Sequence, residues 1–439
     1  MNDFTEKQAL TGKQKKQSES VKVSLSDNKS TSGFERLIRS QVLKTLGRIK
    51  GGQIIVSDPI GKQFCGTAGH QSDLCITINI NDLDFYRQVA MHGSIGAAES
   101  YMKEQWSTDD LTGLVRLLVI NRDILDEMEG GLAWLKNSVL KLWHFFNRNS
   151  VEGSRKNISA HYDLGNDFFK LFLDQHLMYS SAIFTEQANT LELASDLKLK
   201  TICEKLDLSA NDRLVEIGTG WGGFAIYAAK NYGCHVTTTT ISEQQFQYAK
   251  KRIKEEGLES KITIFKEDYR KLKGQFDKLV SIEMIEAVGH QYLDTYIKQC
   301  SDLLKPDGMA LIQAITIEDS RYKQALKSVD FIKRYIFPGS FIPCVSVIAD
   351  AARKTSDLRL INLEDFGDSY AKTLHEWRKR FFENIEQVKA QGFNQSFIQM
   401  WDFYLCYCEG GFIEKAISDV HLLFAKSGNK RQQWLALQS

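Results

Sequence analysis

The stretch LVEIGTGWGGFA, residues 214–225, contains a short apolar strand pattern with an acid near its end, followed by four glycines within six residues. Gly218, Gly220 and Gly223 match G-x-G-x-x-G, the pattern that lets a backbone approach a pyrophosphate closely in dinucleotide-binding folds. A strand that turns into a helix through such a loop predicts an open α/β sheet with a ligand at the strand end. The residues around the glycines decide whether that ligand is a nicotinamide dinucleotide.

Short apolar strands and amphipathic helices alternate along the sequence after residue 190. This alternation predicts a doubly wound parallel sheet, in which ligands bind at the carboxyl ends of the strands. The predicted strands are 213–217, 235–241, 261–268, 277–284 and 309–317, and the predicted helices are 222–230, 242–256 and 290–304, with a turn at 306–308. The loops at the strand ends begin at Gly218, Thr240, Glu267, Glu283 and Gln313.

A nicotinamide site needs an acid about 20 residues after the glycines, at the end of the second strand, to hold the ribose hydroxyls. That position is occupied by TTTTIS, residues 237–242, which contains no acid. Trp221 and Glu216 place a bulky ring and a carboxylate where a pyrophosphate would need bare backbone and no negative charge. S-adenosylmethionine carries a sulfonium cation and no phosphate, so it fits this loop better.

Composition bounds the class of protein without naming a function. The 439 residues allow two or three domains, and 56 basic against 55 acidic residues give a net charge of +1, which does not suggest a nucleic-acid partner. The eight cysteines show no metal-type spacing and are expected to be reduced, so no metal site is predicted. The sequence shows neither a secretory leader nor an apolar run of about 18–20 residues, so we expect a cytoplasmic protein that at most associates peripherally with the inner face of a membrane.

The domain organisation follows from shifts in pattern along the chain. Residues 1–33 are polar and are predicted to be a disordered tail, and residues 34–125 a small α+β domain with possible lipid binding. Residues 126–157 are predicted to be a linker, in which an amphipathic helix at 134–149 either packs between domains or lies on a lipid surface. Residues 158–439 form the predicted catalytic domain. Its part from 370 to 439 is predicted to be helical, with aromatic side chains that form core or the wall of an apolar tunnel.

Several segments, taken together and in order, resemble the cyclopropane-fatty-acyl-phospholipid synthase family of S-adenosylmethionine-dependent methyltransferases, which includes the mycolic acid cyclopropane synthases. The resemblance covers roughly residue 34 to the end of the chain. The segments are LVEIGTGWGGFA, TTISEQQFQYAKKRI, SIEMIEAVGHQYLDTYI, LKPDGMALIQAITI, NISAHYDLGNDFFKLFLDQHLMYSSAIF, GSIGAAESYMKEQW, SVDFIKRYIFPGSFIP, SYAKTLHEWRKRFF and YLCYCEGGF.

The resemblance implies a doubly wound, Rossmann-like methyltransferase domain, a smaller N-terminal α+β domain and a helical, aromatic-rich lipid-binding region. It implies transfer of methylene from S-adenosylmethionine to a cis double bond of a phospholipid acyl chain at a membrane surface, with a homodimer possible. Two alternatives stay open. One is a related enzyme that makes methyl-branched or methyl-alkene chains, and the other is a non-catalytic lipid-binding protein on the same fold.

The cofactor-binding positions follow from the glycine loop and from the resemblance. Gln245 also fits a helix capping box that begins at Ser242, which would give it a purely structural role. The expected cofactor-binding residues are Tyr179, Ser180, Glu216, Gly218, Gly220, Trp221, Gly222, Thr240, Gln245, Asp268 and Tyr269.

The resemblance also implies a bound bicarbonate as the base that removes a proton after methyl transfer. Glu286, Tyr370 and the backbone of Ile315 match the positions that hold it. Ser181 and Gln313 stand where many members have Cys and His. Both can donate hydrogen bonds to an oxyanion, but a Gln cannot relay a proton as a His can, so methyl transfer is better supported than ring closure.

Two further expectations concern a thiol and a surface. Cys408 matches a cysteine often treated as active in the family, although a buried structural thiol is the alternative because the chemistry needs no thiolate. The surface near Lys333, Arg334, Phe337 and Phe341 is expected either to touch lipid or to be an ordinary loop.

Overall fold

The computed structural model describes residues 33–67, 74–130 and 164–431, which form a small N-terminal domain and a larger domain. The tail predicted at 1–33, apart from its last residue, and the amphipathic helix predicted at 134–149 lie outside the described residues. Within them, the strands make one four-stranded sheet and one seven-stranded sheet.

The N-terminal domain is built on the four-stranded sheet, whose order is β2-β1-β3-β4. β1 pairs antiparallel with β2 and parallel with β3. Ile54 and Val56 of β1 and Ile76 and Ile78 of β3 are buried, as expected for alternating β-branched residues on one face of a sheet. The strands are β1 (Gly52–Asp58), β2 (Gly61–Thr67), β3 (Leu74–Ile80) and β4 (Trp106–Thr108).

Helices cover the apolar face of this sheet. Phe85 and Val89 of the second helix and Leu117 of the third belong to the same buried cluster as the strand residues. The third helix begins at Asp110, whose carboxylate accepts a hydrogen bond from the backbone of Gly113 at 2.8 Å. The helices are α1 (Gly33–Leu46), α2 (Asp84–Met102), α3 (Leu111–Ile120) and α4 (Arg122–Gly130), so α4 continues past the predicted domain end at residue 125.

The seven-stranded sheet has the order β10-β11-β9-β8-β5-β6-β7. The five strands from β9 to β7 are parallel, which confirms the predicted doubly wound arrangement. The strands are β5 (Arg213–Ile217), β6 (His235–Thr239), β7 (Ile262–Phe265), β8 (Phe276–Ile282), β9 (Leu304–Ile317), β10 (Arg359–Asp365) and β11 (Ile417–Ala425). The helices around them are α5 (Asn166–Phe169), α6 (Leu191–Leu206), α7 (Gly223–Tyr232), α8 (Glu243–Glu255), α9 (Leu293–Asp302), α10 (Asp319–Lys327) and α11 (Val345–Thr355).

Two local predictions are wrong at this sheet. The chain from 370 to 439 is not helical throughout, because β11 lies antiparallel between β9 and β10 and carries Phe424. The predicted turn at 306–308 lies within β9, where the pairing with β8 jumps from Leu304 to Met309 and the intervening residues bulge out. Both depend on pairing with a distant strand, which the local sequence pattern does not show.

The C-terminal helices join the two domains. α14 packs against α2 and α3 of the N-terminal domain and against α12. Asp402 of α14 accepts hydrogen bonds from the Tyr101 hydroxyl at 2.7 Å and from Arg378 Nε at 2.6 Å. The helices are α12 (Gly367–Glu383), α13 (Ile385–Ala390) and α14 (Gln395–Ile413).

The aromatic residues of the C-terminal region divide between core and cavity wall. Trp377, Phe381 and Trp401 are almost completely buried in the protein core. Tyr404 and Phe412 line the cavity described below, as the tunnel hypothesis expects. Across the described residues, every helix is too short or too polar to cross a bilayer.

Candidate active site

A cavity of about 620 Å³ opens at the carboxyl ends of the parallel strands and continues toward the N-terminal domain. One end is bordered by the glycine loop after β5, the middle by Glu283 and Glu286 after β8, and the far side by apolar residues such as Leu114 of α3. The cavity therefore brings together the strand-end loops that the alternation predicted.

The glycine loop needs glycine for two different reasons. Gly218 has φ 97°, and a Cβ there would lie 2.8 Å from Cγ of Met284. Gly220 has φ 53° with no protein atom within 4 Å of an added Cβ, and it borders the cavity. Gly222 turns instead toward Ala249 of α8, which an added Cβ would meet at 3.2 Å. Gly220 is thus the position where backbone faces ligand space.

Glu216 lies buried near the end of β5 and borders the cavity. Its Oε2 accepts a hydrogen bond from the Thr238 hydroxyl at 2.5 Å. Burial raises the pKa of Glu216 to about 8, and the bond from Thr238 lowers it only in part. A nearby sulfonium would stabilise the ionised carboxylate, which fits the predicted role of Glu216 beside such a cation.

Thr240 and Gln245 contact each other at the end of β6. The Thr240 hydroxyl donates to Gln245 Oε1 at 2.9 Å, and both residues line the cavity. Ser242 does cap α8, because its hydroxyl accepts a hydrogen bond from the Gln245 backbone at 3.3 Å. The Gln245 side chain nevertheless turns to Thr240, so the structure supports the cap and leaves the amide available at the site.

The loop after β7 places Asp268 and Tyr269 at the cavity. The Asp268 carboxylate is paired with the Arg270 guanidinium, at 2.8 Å to Nε and 2.7 Å to Nη2. Tyr269 is mostly buried, and burial raises the pKa of its phenol, so the phenol is neutral at physiological pH. The ion pair of Asp268 with Arg270 gives the cavity a polar edge beside the glycine loop.

Three predicted residues lie where the segment before α6 meets the glycine loop: Tyr179 and Ser180 belong to that segment, and Trp221 belongs to the loop. The Tyr179 hydroxyl lies 3.0 Å from that of Tyr404, and the Ser180 hydroxyl accepts from the buried Lys198 ammonium at 2.6 Å. Trp221 packs in the interior and donates from Nε1 to Asn166 at 2.7 Å. These contacts hold the segment over the loops at the strand ends.

Glu283 is the centre of a hydrogen-bond cluster that the sequence marked only as a loop start. Its Oε1 accepts from the Ser181 backbone at 2.7 Å and from Gln313 Nε2 at 2.9 Å. Its Oε2 accepts from the Tyr370 hydroxyl at 2.7 Å. Ser181, Gln313 and Tyr370 therefore meet as predicted, but around Glu283 instead of around Glu286.

Glu286 lies one turn further on and has fewer partners. Its Oε1 accepts from the Ile315 backbone at 2.6 Å, and within the described residues its Oε2 has no hydrogen-bond partner. Burial, and then the charge of Glu283, raise the pKa of Glu286 to about 8. Glu286 is therefore a neutral acid at pH 7 whose second oxygen can donate a hydrogen bond.

A buried polar layer lies behind Glu283 on β11 and α6. Gln313 Nε2 also donates to Asp419 at 2.7 Å, and Gln313 Oε1 accepts from His421 at 3.3 Å. Burial lowers the pKa of His421, so the ring is neutral and accepts at Nδ1 from the Lys205 ammonium at 3.0 Å. Many family members have a His at the position of Gln313 on β9. In this chain His421 of β11 lies opposite Gln313, which only the register of the two strands shows.

The other two expectations from sequence have different outcomes. Cys408 borders the cavity, and burial raises the pKa of its thiol, which favours the structural interpretation. The proposed lipid-facing surface is wrong for Lys333 and Phe341, because both are buried and the Lys333 ammonium donates to the backbone of Ser328 at 2.9 Å. Arg334 is paired with Glu99 at 2.8 Å.

Comparison with known proteins settles the family. The mycolic acid cyclopropane synthetase family matches residues 149–422. The chain belongs to this family. It is 34% identical to the cyclopropane-fatty-acyl-phospholipid synthase of Escherichia coli K12, over 80% of this chain and 87% of that protein. It is 35% identical to the tuberculostearic acid methyltransferase UfaA1 of Mycobacterium tuberculosis H37Rv, over 74% of this chain and 77% of that protein.

Solved structures of the family agree. A mycolic acid cyclopropane synthase, CmaA1, crystallised with S-adenosylhomocysteine and CTAB, aligns with a TM-score of 0.58 and 26% identity over 62% of this chain and 98% of that one. This cyclopropane synthetase family member is accordingly an S-adenosylmethionine-dependent methyltransferase. The non-catalytic alternative is therefore set aside.

The residues present fit S-adenosylmethionine. Gly220 leaves space that a Cβ would fill, the buried acid Glu216 would suit a sulfonium cation, and Thr240 and Gln245 would offer polar groups to ribose hydroxyls. When bound, the cofactor supplies an electrophilic methyl group. Among the described residues, no cluster of three His, Cys, Asp or Glu side chains could hold a metal ion.

Proposed function

We propose that this enzyme transfers methylene from S-adenosylmethionine to a cis double bond in an unsaturated phospholipid acyl chain. The observation that carries this proposal is the continuity of one cavity from the glycine loop, past Glu283 and Glu286, to an apolar wall. A polar cofactor end and an apolar far end are what a methyl donor and a hydrocarbon chain require.

The cavity wall supports an acyl chain as the second ligand. Phe337, Tyr404 and Phe412 contribute aromatic rings to the wall, and Leu114 and Leu118 extend the apolar lining into the N-terminal domain. Each methylene that leaves water on such a surface is favourable by about 0.8 kcal/mol. Aromatic faces also stabilise a carbocation, which forms on the chain when an alkene is methylated.

The protein's own groups would position the reactants and exclude water. Gly220 lets the cofactor approach the loop closely, and the ring of Tyr179, stacked at 5.2 Å on Trp377, closes the site from above. An alkene is a weak nucleophile, so a dry site with the two carbons in line is needed. Bicarbonate as the final base remains a prediction from the resemblance.

A methyl-branched or methyl-alkene product is a second candidate. The relative UfaA1 is named a tuberculostearic acid methyltransferase, and another relative, 35% identical over 61% of this chain, is a probable fatty acid methyltransferase of Pseudomonas putida. Ser181 and Gln313 support it, because they stand where many family members have the Cys and His of the expected bicarbonate site. Loss of a proton from the new methyl group gives a ring, and loss of a proton from a chain carbon gives an alkene.

A phospholipid substrate implies that the enzyme visits a membrane. With Lys333 and Phe341 buried, we propose contact through exposed apolar side chains of the N-terminal domain instead, namely Phe34, Leu37 and Phe64, which are 64%, 67% and 65% exposed. Lys62 lies 5.6 Å above the Phe64 ring, and a cation beside an aromatic ring suits anionic headgroups.

The test of the function is mass spectrometry of lipids after incubation of the protein with S-adenosylmethionine and vesicles of an unsaturated phospholipid. We expect unsaturated chains to gain one CH2, about 14 mass units by addition to the alkene. Loss of vinyl protons in the NMR spectrum of the product identifies a ring, and retained vinyl protons identify a methyl-alkene. Unchanged lipid masses would refute the proposal.

A further inference from the structure

Glu283 occupies the point at which the groups expected to hold bicarbonate converge. Gln313 Nε2 and Tyr370 Oη donate to its carboxylate, as does the backbone N–H of Ser181, whose hydroxyl, the expected donor, is bound to the Ala182 carbonyl instead. The expected backbone donor, Ile315 N, donates to Glu286. The donors that an added anion would need are therefore already bound to other groups of the chain. A bicarbonate at this point would also face the ionised carboxylate of Glu283 at close range.

We propose that the carboxylate of Glu283 itself serves as the base that removes the proton after methyl transfer, in place of a bound anion. The inference rests on the proposed function, since it assigns the proton-removing group within that reaction.

The backbone shows that Glu283 is held in place at a cost. It has φ 46°, in the left-handed region that favours glycine and is strained for a residue with a side chain. Glu283 lines the cavity, and its chain neighbour Met284 lies against the glycine loop, where a Cβ on Gly218 would be 2.8 Å from Met284 Cγ. Strain of this kind persists where surrounding contacts fix the residue, and here three hydrogen bonds do so.

The electrostatic surroundings suit a base. Burial raises the pKa of Glu283, while the hydroxyl of Tyr370 and the charge of Lys198 lower it in part. Asp419, fully buried behind Gln313, has a strongly raised pKa from burial and from the charge of Glu283. The three donors to Glu283 favour its ionised form. An ionised carboxylate with a raised pKa is a stronger base than one in water.

Glu283 can accept the one proton that the reaction releases. The alkene's π electrons bond to the methyl carbon as the C–S bond breaks and sulfur keeps its electron pair, which leaves a cation on the neighbouring chain carbon. A C–H bond of the new methyl group then gives its proton to Glu283, and its electron pair closes the ring onto the cationic carbon. Removal of a proton from the chain carbon instead gives the methyl-alkene. In either case Glu283 later releases the proton to water.

Three variants separate an internal base from a bound anion. Glu283→Gln keeps the shape and removes the base, so we expect turnover to fall about 100- to 10,000-fold and not to recover with bicarbonate. Glu283→Gly suits the positive φ and removes the side chain, so we expect a similar loss that added bicarbonate partly restores. Glu104→Gly is the matched control, since Glu104 also has a positive φ, 55°, but is exposed in the N-terminal domain.

Two measurements decide the result. Turnover is measured in carbonate-free and bicarbonate-supplemented buffer, and binding of ¹³C-bicarbonate is followed by NMR. We expect wild type and Glu104→Gly to be active without bicarbonate and not to bind it, and Glu283→Gly to bind it. Calorimetry should show S-adenosylmethionine affinity within about twofold of wild type in every variant, because the hydrogen-bond partners of Glu283 are not among the residues expected to bind the cofactor.

The outcomes distinguish this inference from the proposed function. If wild type requires or binds bicarbonate, or if Glu283→Gln keeps full turnover, the internal base is overturned even though the enzyme methylates lipid. If wild type methylates no lipid, the proposed function fails, and the NMR comparison of wild type with Glu283→Gly still decides whether the Glu283 carboxylate fills the anion position.

Discussion

At the scale of single residues, Glu283 and Glu286 differ because their oxygens meet different partners. Glu283 accepts three hydrogen bonds, whereas Glu286 accepts one, from the Ile315 backbone, and its raised pKa keeps it protonated at pH 7. Each additional donor stabilises the ionised form. Burial raises the pKa of both residues, and the donors around Glu283 oppose that rise, while the charge of Glu283 adds to it at Glu286.

The glycine loop allows a residue-level prediction. We expect Gly220→Ala to reduce S-adenosylmethionine affinity at least tenfold, while the positive φ lowers the free energy of unfolding by only about 1–2 kcal/mol. Gly218→Ala should lower the free energy of unfolding by about 2–3 kcal/mol or more, because its Cβ would lie 2.8 Å from Met284. Calorimetric titration and urea denaturation measure the two effects. Undiminished binding by Gly220→Ala would contradict the placement of the cofactor.

At the scale of elements, α14 determines how the N-terminal domain meets the catalytic domain. The helix approaches α3 so closely that a Cβ on Gly410 would lie 2.7 Å from Cγ1 of Val115. Polar contacts flank this approach, with Arg116 bound to Glu414 at 2.7 Å and Thr112 to Glu409 at 3.0 Å. A glycine within a helix is unfavourable by about 1 kcal/mol relative to alanine, so close packing is the reason for it here.

The close approach of α14 to α3 predicts different effects for alanine substitutions at two neighbouring glycines. Gly410→Ala should destabilise the protein by about 1–3 kcal/mol, because the methyl group overpacks the contact between α14 and α3. Gly411→Ala meets its nearest atom at 3.4 Å and should be neutral or stabilising by up to about 1 kcal/mol. Thermal and urea denaturation of both variants provide the measurement. Equal stability of the two would show that α14 does not depend on this packing.

At the scale of the whole molecule, the cavity belongs to both domains. Cofactor-side residues come from the strand ends of the large domain, while Leu114 and Leu118 of α3 belong to the small one. If the acyl chain occupies this apolar end as proposed, the N-terminal domain forms part of the substrate site. The length of the chain that the enzyme accepts should then depend on α3.

A variant on α3 tests this shared cavity. Leu118→Trp fills part of the apolar end, so we expect kcat/KM for long unsaturated chains to fall about fourfold for each methylene displaced, at about 0.8 kcal/mol per methylene. Shorter chains and S-adenosylmethionine affinity should be little affected. Ile120→Trp on the exposed side of the same helix is the control, since Ile120 is 44% exposed. A uniform loss across chain lengths would place the acyl chain elsewhere.

The sequence by itself determined the parallel sheet, the glycine loop, the choice of S-adenosylmethionine over a nicotinamide and the family. These follow from local patterns: the period of apolar residues, the glycines after β5 and the absence of an acid at the end of β6. Of the residues that the sequence predicted to bind the cofactor, all except Gly222 line the cavity.

Only the tertiary structure shows which groups are hydrogen-bonded to the buried carboxylates. Tyr370 lies 87 residues from Glu283, and Ser181 lies 102 residues from it, so no spacing rule could show that both donate to that carboxylate. The same holds for β11, whose place beside β9 brings His421 next to Gln313. Hydrogen bonds of buried carboxylates are set by the packing of distant segments, because only the folded chain removes water and leaves each oxygen with the donors that surround it.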